Sequence, residues 1–335
     1  MVVTEGGTPV TRANDGGGAD ALLTAPPGPE PAGHTAPTVE TIFLSGRPTL
    51  RRFLRFVTRN AVDSPDRGAL ADEWQAAREH LRALEITEAG LADDPGMAPL
   101  GPAYEPLLIE LLRDPAVRHG FNTVPTDVAL VELDRMVVFQ HHIDLTFVRQ
   151  LEEKLGAAPS RDEIFRTCLP YDHPVPPVEW SRVRRDRFVF VSPSNDLRYL
   201  GTIPLQSKHI TGHAVRGALV GAVGLAVGFG SNFLNAVFAE NRLILTNGSH
   251  RAYALRSLGV THAPCIVQHA SNRDELDLVA SEVVRKDPDY YLRGPRPPLL
   301  RDYFDPRLRK RFQARRFLRQ VTVRFDVDEV FIPAV

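Results

Sequence analysis

The chain has 335 residues, of which 43% are hydrophobic and 24% charged, enough for one large domain or two modest ones with ordinary cores. Its formal net charge of −1 excludes a polycation built throughout for nucleic acid, so any basic surface has to be local. Cys168 and Cys265 are its two cysteines; they form no CxxC pair, which excludes a disulfide framework and fits the reducing cytoplasm expected as the location.

No charged stretch followed by an apolar one opens the chain, so no signal peptide is predicted. Residues 1–40 are rich in Gly, Pro, Ala and Thr and read as a disordered tail, because such a segment buries too little surface to offset its ordering entropy. A helical region is predicted over 41–123. Leu50, Phe53, Leu54 and Val57 recur at helical spacing between Arg51, Arg52, Arg55 and Arg59; further helices are expected over Leu70 to Leu84 and Glu105 to Leu112.

The pattern changes at the start of a third region, 124–270. Val128 to Val138 alternates and is rich in β-branched residues, which predicts a strand. Gln140 to Asp144 form a turn, and a helix runs from Leu145 to Leu155 with Asp144 as its N-cap. Pro159 to Pro177 read as loop, and Phe188 to Ser192 as a short strand. The most apolar run, Ala214 to Phe229, is broken by Gly217, Gly221, Gly224 and Gly228. It is shorter than the roughly 20 residues of a membrane-spanning helix, so no membrane partner is expected. Phe233 to Leu245 predicts a hairpin turning at Ala239 to Asn241, followed by a helix to Leu258 closed by Gly259 and a strand at Ala263 to Val267. In 271–335, a helix over Asp274 to Arg285, a basic helix over Pro306 to Arg319 and a final strand over Val321 to Ile332 are expected.

Chemistry concentrates at Asn247-Gly248-Ser249-His250-Arg251, between the hairpin and its helix. A helix N-terminus offers unpaired backbone N–H groups and the positive end of its dipole, which suits a phosphate. Gly248 permits a sharp turn, Arg251 brings a guanidinium fork, and His250 and Ser249 add polar contacts. The same residues also fit a plain turn, with Asn247 and Ser249 only capping the helix.

The string GSHRAYAL followed by LGVTHAPCIV resembles the Gly-x-His/Arg-Arg box of the ParB/sulfiredoxin superfamily, and the strand, turn and helix from Val128 to Leu155 resemble that family's opening motif. The likeness spans roughly Val128 to Val267 with a long insertion between the two motifs. It implies an α/β (in detail α+β) fold, with a ParB/sulfiredoxin-like mixed-sheet core behind a helical N-terminal region. It also implies a nucleotide-binding enzyme performing ATP- or CTP-dependent phosphoryl transfer or hydrolysis on a small molecule. Asn247, Gly248, Ser249, His250 and Arg251 would hold the nucleotide with Mg2+, Gln140 and His141 would line the cleft, and His142, Asp134 and His250 are the candidate catalytic groups. Ser249 stands where the reductase carries its catalytic cysteine, which argues against that chemistry. The chain after the box offers no helix-turn-helix, which argues against a partition clamp.

Two alternatives remain open. One is a DNA-associated regulator, with nucleic acid held by Arg307, Arg309, Lys310, Arg311, Arg315 and Arg316. The other is a metal- or haem-dependent biosynthetic enzyme using histidines. His209 and His213 lie four residues apart, a spacing that can bind metal on a helix, although no third ligand is identifiable and no metal ligand is assigned. A homodimer is left open.

Overall fold

A computed structural model describes residues 37–206, 210 and 218–334. Its elements in chain order begin with β1 (Thr38–Leu44), α1 (Leu50–Asn60), α2 (Arg67–Thr87), β2 (Met97–Pro99), α3 (Glu105–Leu111), α4 (Pro115–Gly120), β3 (Thr126–Glu132), β4 (His142–Asp144), α5 (Leu145–Leu155) and α6 (Arg161–Cys168). Strands β5 (Glu179–Arg184), β6 (Arg187–Ser192), β7 (Leu197–Leu205) and β8 (Ala222–Phe229) follow. The chain continues through β9 (Asn235–Ala239), β10 (Arg242–Asn247), α7 (Ser249–Ser257), β11 (His262–His269), α8 (Arg273–Val279), α9 (Glu282–Lys286), α10 (Pro288–Leu292), β12 (Arg309–Arg315) and β13 (Arg319–Arg324).

These form a mixed α+β structure whose described residues fall in two compact units, one built from 37–173 and 231–316, the other from 174–230 and 317–334. The larger unit is organised by a five-stranded sheet of order β10-β9-β11-β3-β2, in which β11 runs parallel to β9 and antiparallel to β3. Alternation along the β9–β10 hairpin gives the sheet two apolar faces. Ala236, Leu243 and Leu245 join the core containing residues of α5, α6 and α7, whereas Val237 and Ile244 join the cluster containing Leu276, Val284 and Tyr291 of α8–α10. Glu240 and Asn241, both at positive φ (47° and 66°), make the tight turn whose backbone twist matches the hairpin.

A second sheet of order β12-β1-β4 sets His142 directly opposite Phe43. Phe43, Phe53, Phe56 and Val57 pack there with Leu70 of α2, a third apolar cluster. Behind it, the buried Asp302 carboxylate accepts hydrogen bonds from Arg47 (2.9 Å) and Arg296 (2.6 Å), with Arg296 also reaching Glu88 at 2.9 Å. Two guanidiniums buried without acids would be prohibitively costly, so this network ties the segment after β1 to the segment before β12.

The smaller unit contains a three-stranded sheet, β13-β6-β5, and the antiparallel hairpin β7–β8. Among its described residues only Ser192 and Leu197 are buried.

Several expectations need correction. The basic segment after Pro306 is not a helix: Arg309–Arg315 is a strand paired along its length with β1, and Arg319–Arg324 is a strand paired with β6. Order begins before residue 40, because Thr38–Leu44 supplies the central strand of the second sheet. The loop expected after Pro159 contains α6, started by a capping box in which Ser160 and Glu163 satisfy each other's backbone N–H groups. The apolar run after Ala214 carries strand β8, and no described helix is long and apolar enough to cross a membrane.

Candidate functional site

The β9–β10 hairpin delivers the chain to α7 through Gly248, whose φ of +97° lies in the left-handed region. A Cβ there would sit 2.6 Å from Leu234 Cδ1, so both conformation and space require glycine. Helix α7 then begins at Ser249 with no side-chain cap, and its first closing bond runs from Ala252 N to Gly248 O at 2.8 Å. The N–H groups of Ser249, His250 and Arg251 are therefore the donors a helix start leaves for a ligand.

His250 is half-buried and oriented by a specific contact. Its Nε2 accepts the Asp144 backbone N–H at 2.9 Å, which places the ring proton on Nδ1. Asp144 is itself held where β4 meets α5, because its Oδ1 accepts from Thr146 N (2.8 Å) and Phe147 N (3.3 Å). Phe147 meets the His250 ring edge to face at 5.6 Å. The Nδ1–H of His250 has no hydrogen-bond partner among the described residues.

His142, from β4, packs its ring 5.4 Å from that of Phe56 and lies within electrostatic range of His250. It is 9% exposed, and neither ring nitrogen is hydrogen-bonded among the described residues. Burial lowers the pKa of both imidazoles to about 4, with a further contribution to His142 from His250 and to His250 from Arg251; Asp144 opposes the shift at His142. Both rings are consequently neutral at pH 7 and able to donate without charge. His141 is driven lower still, to about 3, by burial and then by Arg52, His142 and Arg47, and its Nδ1 is buried without a partner.

Arg251 donates to the Cys168 carbonyl at 3.3 Å and to Asn232 Oδ1 at 2.6 Å, with no acidic partner among the described residues. Burial pulls its pKa downward, as expected for a cation without a counter-ion. Asn247 donates to the Ser231 carbonyl.

His250, His142 and the start of α5 thus converge around Asp144, and the buried Ser249 opens the helix that carries His250. Gln140 serves the loop itself, its Nε2 donating to His142 O at 2.9 Å and its carbonyl accepting from Tyr303 Oη. Asp134 lies elsewhere: it pairs with Arg256 at 2.6 Å, in the last turn of α7 and about 10 Å along the helix from its start. That placement makes Asp134 a partner for the C-terminal end of the helix dipole's neighbour Arg256 rather than a base at the N-terminus. The backbone N–H of Asp144, the carbonyl of Cys168 and the side chain of Asn232 shape the site but carry no local sequence signal. Each becomes relevant only when distant segments meet.

Among the described residues no group of three or more His, Cys, Asp or Glu side chains is placed to hold a metal ion, and His209 and His213 lie outside the described residues. Several of the basic residues considered for nucleic acid are engaged instead. Arg307 bonds Asp305, Lys310 bonds Glu73, Arg311 bonds Glu40, and Arg309 donates to Tyr303 O. Comparison with family models, with curated proteins and with solved structures gave no match.

Proposed function

We propose that the larger unit is a ParB/sulfiredoxin-like core that binds ATP or CTP, with phosphate oxygens at the N-terminus of α7. On this reading it transfers or hydrolyses a phosphoryl group, with a small-molecule substrate entering beside Gln140, His141 and His142. The element order β3, β9–β10 hairpin, α7, β11, with β11 set between β9 and β3, supports the scaffold. The observation that carries the proposal is the α7 start. Among the described residues, a helix with no side-chain cap is flanked by an Nδ1–H of His250 and a His142 ring that make no hydrogen bond, and by an Arg251 that lacks an acid.

Such a set stabilises negative charge by fixed donors, the dominant contribution in phosphoryl chemistry. It is less suited to proton removal, because an imidazole near pKa 4 is a weak base at neutral pH. His142 and His250 therefore act here as neutral donors to the phosphate. The nearby Asp144 caps α5 through Oδ1, and the described residues bring no carboxylate pair to the α7 start; magnesium would arrive on the nucleotide without a dedicated ligand set from this chain.

Thermal unfolding with ATP, CTP or GTP and magnesium tests the reading. At 100 times the dissociation constant a nucleotide adds about 2.7 kcal/mol, a rise of a few degrees. Arg251→Gln, which keeps a donor for Cys168 O, should fold and lose that rise. No rise with any nucleotide, or an undiminished rise in Arg251→Gln, would overturn it.

A further inference from the structure

Among its described residues the smaller unit buries almost nothing. Trp180, Val183, Tyr199, Leu200, Ile203 and Val223 are exposed, as are Val327, Val330, Phe331 and Ile332 of the segment after β13. Among the described residues that segment forms no backbone–backbone hydrogen bond from Asp326 to Ala334; its one main-chain contact is local, the Val327 N–H donating to Asp326 Oδ1 at 3.0 Å. Strand β5 ends the sheet order β13-β6-β5, so one side of its backbone also lacks a neighbouring strand. An open edge with exposed apolar side chains is a template for another strand.

We infer that residues 326–332 of one copy add as an antiparallel strand to the β5 edge of a second copy, reciprocally, giving a two-fold dimer. Charge and pattern select this occupant. The segment Asp326-Val327-Asp328-Glu329-Val330-Phe331-Ile332 is acidic and apolar, and β5 is basic and apolar. Neither Arg182 nor Arg184 has an acidic partner among the described residues. In one register Asp328 stands opposite Arg182, Val330 opposite Trp180 and Ile332 opposite Val178, with Asp326 beside Arg184. On the face carrying Trp180, Asp326 and Asp328 then each meet an arginine, and Val330 and Ile332 each meet an exposed apolar residue; on the other face Val327 meets Val183, while Glu329 and Phe331 stand opposite Ser181 and Glu179. Trp180 is stacked on Phe190, and Arg182 lies over Phe188, so the receiving ridge is already formed.

Chain geometry disfavours self-pairing in this register. Phe325 continues β13, its N–H donating to Asp186 O beside the β5–β6 turn and its ring stacked on Phe188. From that position the outer edge of β5 lies three strand spacings away, about 14 Å. The three residue steps from Phe325 to Asp328 span only about 10 Å. A partner whose turn end faces this one meets the segment without a crossing, and reciprocal exchange closes the symmetry.

The test uses the full chain. Sedimentation should give a dimer, with dissociation raised about tenfold or more in Arg182→Glu and in Asp328→Arg, and restored when both changes are combined. Mixing a Trp180→Cys chain with a Val330→Cys chain under mild oxidation should give a covalent one-to-one pair, since directly opposed residues meet disulfide geometry; the native cysteines are buried. A monomer at all concentrations without the mixed cross-link overturns the inference. So does an intrachain disulfide at monomeric mass in the doubly substituted chain, or a monomer that retains single-stranded nucleic acid on this basic sheet.

Discussion

His142→Phe should make the protein less sensitive to acid. The imidazole is 9% exposed, packed against Phe56, and depressed from 6.5 to about 4 by burial and then by His250. A histidine whose folded pKa lies below its unfolded value stays neutral in the native state while the unfolded chain takes up a proton. Its favourable contribution is therefore complete above about pH 6.5 and is lost as pH falls toward 4. Between pH 7 and pH 5 the unfolded chain binds nearly one extra proton at this position, which lowers stability by about 2 kcal/mol. Phenylalanine fills a similar volume beside Phe56 and cannot titrate. Urea unfolding of both proteins at pH 7 and pH 5 isolates this share, because the other titrating groups enter both differences. The variant should lose about 2 kcal/mol less than the parent over that interval. Equal losses would show that His142 is not held neutral, and the buried imidazole arrangement would be wrong.

Three further outcomes follow from the packing. Gly248→Ala forces a side chain into a positive-φ position against Leu234 and should lower stability by about 2–3 kcal/mol in denaturant unfolding, weakening phosphate binding as well. Asp302→Ala leaves Arg47 and Arg296 buried without their carboxylate and should cost about 3–5 kcal/mol, whereas an Asp328→Ala change on the exposed segment should leave unfolding of the larger unit unmoved. Asp134→Asn should lower stability by at most about 1 kcal/mol, as for a partly exposed ion pair, and leave nucleotide binding intact; a loss of binding would return Asp134 to the site.

Elements with local signals were legible in the sequence. Asp144 before an apolar stripe announced α5, and the hairpin turn at Glu240 and Asn241 and the stop at Gly259 framed α7. Gly259 indeed adopts φ +85°, and Val260 N bonds Leu255 O at 3.0 Å, a closing bond typical of glycine-ended helices. The basic segment reads as a helix in sequence because its arginine density resembles a charged helix face. Phe312 and Ala314 instead alternate with the exposed Arg311, Gln313 and Arg315 along β12, and pairing with β1, some 270 residues earlier, decides its conformation. Strand β1 was hidden for the same reason, at the edge of a composition-biased tail. The Ser160–Glu163 capping box, by contrast, is a readable helix start inside a stretch that otherwise reads as loop.

Within the candidate site, the Gly248 to Arg251 box is visible as sequence; a cleft beside His142 is what the family resemblance implies, and His142 itself lies on strand β4 rather than in the expected turn. The roles were less visible. Neutrality of His142 and His250 depends on burial, the His250 tautomer on a backbone N–H from Asp144, and the absence of an acid at Arg251 on its contacts with Cys168 and Asn232. None of these is written in residue spacing.

The most direct measurement is an NMR titration of the full chain with pyrophosphate and then with CTP or ATP, following the backbone amides of Ser249, His250 and Arg251. Phosphate at the α7 start should shift these amides together with the His250 Nδ1–H signal, saturably and at the same ligand concentration. Amides that stay in place while the nucleotide binds elsewhere, or a chain that binds neither ligand, would contradict a phosphate site at the start of α7.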